Sequence, residues 1–124
     1  MQTAKIWYVN VFVRDLDRAI DFYARTLGLE LRHASPEHGY AGFAAGPVGL
    51  GLAEVAEGAP QADLVGRHTG VGLGVPDLPA AYEELRGRGV RFTLAPEKQP
   101  WGGFMAMFAD PDGNLFYLDE LREH

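Results

Sequence analysis

Apolar positions along this chain alternate between a period of two and a period near 3.6, and the whole alternation occurs twice. Residues 6–13, Ile-Trp-Tyr-Val-Asn-Val-Phe-Val, are rich in β-branched and aromatic side chains and predict a strand. The strand stops at Asp15, whose carboxylate can accept from the free N–H groups of a first helical turn. Leu16, Ala19, Ile20, Tyr23 and Leu27 then recur at helical spacing, and Gly28 supplies a left-handed C-cap. Residues 29–33, 40–44 and 48–55 read as three strands separated by the turns Pro36-Glu37-His38-Gly39 and Gly46-Pro47.

The same order returns about 62 residues later. Val71-Gly72-Leu73-Gly74-Val75-Pro76-Asp77-Leu78 aligns with Val9-Asn10-Val11-Phe12-Val13-Arg14-Asp15-Leu16 through its valines, aspartate and leucine. Residues 70–75 predict a strand. Asp77 caps a second helix, with Pro79 in a first turn where it loses no hydrogen bond. Leu78, Ala81, Tyr82 and Leu85 form its stripe and Gly89 its end. Strands follow at 90–94, 104–109 and 115–119, the last two joined by Asp110-Pro111-Asp112-Gly113, a strong hairpin turn. The fold class is therefore α+β: two βαβββ modules, about 5–56 and 69–121, joined by a linker about 57–68 in a single domain spanning 1–124. Neither half covers its sheet alone. Two sheets side by side with helices outside would form a curved mixed sheet around a cavity.

Composition narrows the classes of function. The chain of 124 residues is long enough for one domain with a real core. A formal charge of −6 argues against a nucleic-acid partner and mildly favours cationic ligands. The absence of cysteine excludes disulfides, zinc–thiolate sites and thiol nucleophiles. No apolar run approaches the ~20 residues that cross a bilayer, and residues 1–10 lack an apolar signal core, so no membrane partner and a cytoplasmic location are expected.

Three pieces in sequence, Val13-Arg14-Asp15-Leu16-Asp17-Arg18-Ala19-Ile20-Asp21-Phe22-Tyr23, Leu27-Gly28-Leu29 and Asp110-Pro111-Asp112-Gly113-Asn114, resemble the vicinal-oxygen-chelate superfamily. That superfamily holds glyoxalase I, extradiol dioxygenases, bleomycin-resistance proteins and metal-dependent fosfomycin-resistance enzymes. The resemblance covers nearly the whole chain and is specific for the fold, not for a function. It implies a divalent metal held by His, Gln or Glu from the first and last strand of each module. In this chain the first-strand positions, seven residues before each Asp-Leu pair, are Tyr8 and Gly70. The last-strand position of the second module is Tyr117, and its counterpart lies near residues 51–53. Two tyrosines and a glycine stand where imidazoles and carboxylates are needed. The expectation is no metal cofactor. The alternative is a divalent ion at a displaced site built on His68, which would share the face of Gly70 if its strand starts early, and Glu54.

Tyr8, Asn10 and Phe12 alternate onto one face of the first strand, which the resemblance turns toward the cavity. Tyr117 and Leu115 would face it from the last strand. Gly70, Gly72 and Gly74 share the face of the matching strand, where they either open space or let another segment pack closely. Residues 97–103 read as a Pro/Gly-rich loop carrying Trp101, a stacking platform for a flat ligand or a packing group. Met105 and Met107 alternate with Phe104 and Phe108, one pair for the core and one for a pocket. His33, His38 and His124 read as surface residues, with His33 or His38 alternatively at a cavity mouth.

The expected function is small-molecule binding without a metal, an apolar or aromatic ligand held by Tyr8, Asn10, Phe12, Trp101 and Tyr117, as the bleomycin-resistance branch sequesters a drug. Catalytic alternatives stay open: a metal-dependent lyase, isomerase or dioxygenase with a displaced site, or a metal-free enzyme using Tyr8 or Tyr117. A non-catalytic regulator is a further one. The resemblance implies a homodimer.

Overall fold

Both aspartate caps form as their positions demand. In the computed structural model, which describes residues 2–122, Asp15 Oδ1 accepts from Arg18 N–H at 3.1 Å and Asp77 Oδ1 from Ala80 N–H at 3.1 Å. Each cap opens the helix of one βαβββ module, and the chain divides into two compact units after Gly66. His124 lies outside the described residues.

The first unit contains β1 (Tyr8–Val13), α1 (Leu16–Asp21), β2 (Glu30–Ser35), β3 (Tyr40–Ala45) and β4 (Val48–Glu54). Its sheet runs β1-β4-β3-β2, with β1 parallel to β4 and the other pairs antiparallel. Alternation along β1 sends Val11 and Val13 to the helix side, where they are buried with Leu16, Ala19, Tyr23, Phe43, Leu50 and Leu52. The helical stripe expected to reach Leu27 does so, but not as one regular α-helix. After Asp21 the chain widens into a π-helical turn, Phe22–Thr26, with Leu27 N–H bonded to Phe22 O. Gly28 follows at φ +79°, the left-handed position foreseen for it.

The second unit contains β5 (His68–Val75), α2 (Leu78–Gly87), β6 (Arg91–Lys98), β7 (Phe104–Ala109) and β8 (Leu115–Glu120), in the order β5-β8-β7-β6. Its core is aromatic. Phe108 and Phe116 stack at 5.3 Å, and Phe92 links Phe108 to Tyr82 of α2. Phe108 and Met105 are buried while Phe104 and Met107 are half-buried, so the strand does not divide into one core pair and one pocket pair as expected.

Two readings need correction. Strand β6 continues four residues past Leu94, so Glu97 and Lys98 belong to a strand and not to the loop. Two register shifts against β7 absorb the extra residues, and Pro96 is tolerated because β6 is an edge strand that need not donate there. Likewise β1 starts at Tyr8; Ile6 and Trp7 precede it and are exposed.

The Asp110-Pro111-Asp112-Gly113-Asn114 segment is a structural knot. Asp110 and Asn114 are buried. Asp110 Oδ1 accepts from the N–H groups of Asp112 and Asn114, and Oδ2 from the Asn114 side-chain amide, each at 2.9 Å. Gly113 takes φ +84°, which a side chain would resist.

Candidate functional site

The strand faces turned away from the helices carry the chemistry. In the first unit Tyr8, Asn10 and Phe12 pair with Gly49, Gly51 and Ala53 of β4, and Gly51 and Gly49 pair with Gly42 and Ala44 of β3. Gly42 in turn pairs with His33 of β2. Small residues therefore floor the middle of this face, and larger ones stand on its flanks. Two of these glycines, Gly42 and Gly51, are held small by their neighbours. A Cβ on Gly42 would lie 2.6 Å from the His33 ring, and one on Gly51 would collide with Asn10 Oδ1 and the Tyr40 hydroxyl. The Tyr40 hydroxyl donates to Asn10 Oδ1 at 3.5 Å, and the His33 and Tyr40 rings lie 5.5 Å apart. Trp7 and Tyr8 meet edge to face at 6.1 Å.

These side chains bound a cavity of about 400 Å³, lined among others by Trp7, Tyr8, Arg32, His33, Tyr40, Gly49 and Gly51. Its size suits a small ligand, and its walls combine aromatic faces with a few polar groups. Of the site residues read from sequence, Tyr8 lines this cavity and Asn10 touches Tyr40 at its edge. Trp7, Arg32 and Tyr40 were not foreseen. Exposure on a strand flank leaves no periodic signal, although an aromatic pair beside glycine-rich strands is the pattern that marks such a surface. His33 is at the cavity, the alternative raised for it.

In the second unit His68 and Tyr117 stand together, and Trp101 lies in the loop between β6 and β7. Strand β5 does start at His68, so His68, Gly70, Gly72 and Gly74 share an exposed face. The His68 ring meets Tyr117 at 4.9 Å, and its Nδ1 accepts from Gly70 N–H at 3.0 Å. Gly70 has open space around it, whereas Gly74 is covered by the Leu121 side chain and Gly72 faces Asp119. Both readings of the glycine row thus occur, at different positions. Burial holds the Asp119 carboxyl above its ordinary value, partly opposed by the Arg122 guanidinium. Trp101 is 66% exposed, with its indole nitrogen lying over Gly103.

Glu54 has a different partner from the one weighed for it. It stands on the helix side of β4, and its Oε2 accepts from Leu16 N–H at 2.8 Å, holding the first turn of α1. Glu120 does the same for Leu78 N–H at 3.2 Å in the second unit. Tyr8, Gly70, Tyr117 and Gly51 offer phenols and backbone only, a donor set that does not fit a divalent metal. Among the described residues no three His, Asp or Glu side chains are grouped to hold an ion. Nor, among those residues, is any helix long and apolar enough to cross a membrane.

Comparison with known proteins gives the arrangement its relatives. A crystal structure from Sphaerobacter thermophilus, a member of the glyoxalase/bleomycin resistance protein/dioxygenase superfamily, is 32% identical with a TM-score of 0.81, covering 98% of this chain and 100% of that one. TnmS3, an antibiotic binding protein from Streptomyces sp. CB03234, is also 32% identical with a TM-score of 0.81, covering 98% and 99%. The Bacillus subtilis protein YraH is 27% identical, over 94% of this chain and 98% of its own length. The model of the Glyoxalase/Bleomycin resistance protein/Dioxygenase superfamily matches residues 5–118, and the chain belongs to that superfamily.

Proposed function

We propose that this protein binds a planar, largely apolar small molecule on the glycine-floored face of its first module, and that it does so without a metal. The observation that carries the reading is the combination of removed side-chain volume at Gly42, Gly49 and Gly51 with the rings of Trp7, Tyr8, Tyr40 and His33 around it. Aromatic faces grip flat ligands by stacking, each worth about 0.5–1.5 kcal/mol beyond area burial. The likeness to an antibiotic binding protein supports sequestration as the purpose. Asn10 and Phe12 extend the binding face, Trp101 and Tyr117 offer the second module an aromatic face of its own, and the protein works as a homodimer.

Titration with 2-naphthamide, a neutral planar probe, tests the reading through tryptophan fluorescence and calorimetry. Trp7→Ala and Tyr40→Ala should each weaken the probe about 3–10-fold. Absence of binding at millimolar probe rejects the assignment. Parallel melting curves with manganese, nickel, zinc and ferrous iron check metal independence, because an ion held by the native state must raise the melting temperature. A clear rise with one ion would return the chain to the metal-dependent enzymes. Sedimentation of the purified protein checks the dimer, and alanine at Trp101 or Tyr117 checks the second module's share.

A further inference from the structure

In an unbroken strand, neighbouring residues point to opposite faces, so Arg32 and His33 would not both reach one cavity. Here they do. Pairing of β2 with β3 passes from Leu31↔Phe43 directly to His33↔Gly42, which makes Arg32 an inserted residue. Such a bulge re-aims a side chain without disturbing the sheet beyond it.

The bulge brings a cation to a surface otherwise free of fixed charge. The cavity lining contains no Asp or Glu, although the chain carries a formal charge of −6. Glu30 Oε2 meets Arg32 Nε at 3.2 Å, but the two side chains are 66% and 63% exposed, so the pair is weak. A guanidinium matches a carboxylate in a planar two-point geometry that ammonium cannot reproduce. Glu30 is therefore a weak competitor for that group and leaves its charge available to a ligand.

We propose that the cavity selects aromatic anions, planar rings bearing a carboxylate or an ionised phenol, and that Arg32 is the residue that reads the charge. The inference rests on the aromatic-binding reading above and reverses the preference for cations that the overall charge suggests. Three probes of one shape separate the two claims: 2-naphthoate, 2-naphthamide and 2-naphthylmethylammonium. The acid should bind about tenfold tighter than the amide, and the ammonium weakest. Arg32→Gln should abolish the preference for the acid over the amide, and Arg32→Lys should recover only part of it. Glu30→Gln, which removes the competing carboxylate, should tighten the acid. Equal binding of acid and amide, or a preference that survives Arg32→Gln, overturns charge selection and leaves the aromatic site standing. Failure of the amide and the acid alike overturns both.

Discussion

The two modules solve one packing problem in reciprocal ways. In the first, a side chain stands on the first strand and the glycine on the last: Asn10 pairs with Gly51. In the second, the glycine is on the first strand and the side chain on the last: Gly72 pairs with Tyr117. Asn10 and Gly72 occupy corresponding positions of the repeat, as do Gly51 and Tyr117. At Gly51 the side chain on the neighbouring strand excludes even a Cβ, whereas at Gly72 a Cβ would meet Tyr117 at an ordinary 3.7 Å. The reciprocity also sets what else fits. In the first module Tyr40 and His33 converge over the glycines of two central strands. In the second, Leu121 and Asp119 occupy that space. The repeat conserves architecture, while the distribution of volume within it differentiates the faces.

The turn that positions Tyr117 offers the largest test. Asn114→Ala leaves the buried Asp110 carboxylate short of a partner and should cost about 2–3 kcal/mol in denaturant unfolding. Pro47→Ala, in the corresponding hairpin of the first module, should cost less than about 1 kcal/mol because it mainly relaxes the unfolded chain. Equal losses would show that the two hairpins are pinned alike.

Glycine substitutions sharpen the comparison further. Gly51→Ala forces Asn10 and the rigid Tyr40 ring aside and should destabilise by about 1–3 kcal/mol, with loss of probe binding. Gly74→Ala displaces only the flexible end of Leu121 and should stay within about 0.5 kcal/mol of wild type by the same measurement. Similar costs at both positions would break the reciprocal account.

The smallest effect concerns Asp119. Burial raises its pKa above 3.8, so the folded state keeps its proton to higher pH than the unfolded chain. Stability is therefore lost as pH rises from the ordinary carboxylate value through the folded value, and the penalty is complete above it. Asp119→Asn should melt with wild type at pH of about 3 and slightly above it at neutral pH. A variant less stable at neutral pH would mean that the attraction of Arg122 outweighs burial.

Much of this was legible in the residues. The capping aspartates, the helical stripes ending at Gly28 and Gly89, and the hairpin turn of residues 110–114 all declare themselves locally, because each depends on neighbours within a turn or two. Strand β6 was read short because Pro96 signals a break unless the strand is known to lie at an edge. Glu54 was weighed as a metal ligand because nothing nearby in sequence shows a carboxylate reaching an N–H group 38 residues away.

The sequence by itself determined the repeated βαβββ order and the aspartates that cap each helix, since periodicity and caps are properties of short segments. Only the tertiary structure decided which residues border the cavity of the first module. That outcome depends on strand register: the pairing of Gly42, Gly49 and Gly51 with His33, Tyr8 and Asn10, and the bulge that turns Arg32 to the cavity, join residues far apart in the chain, and a slip of one position would send every one of those side chains to the other face.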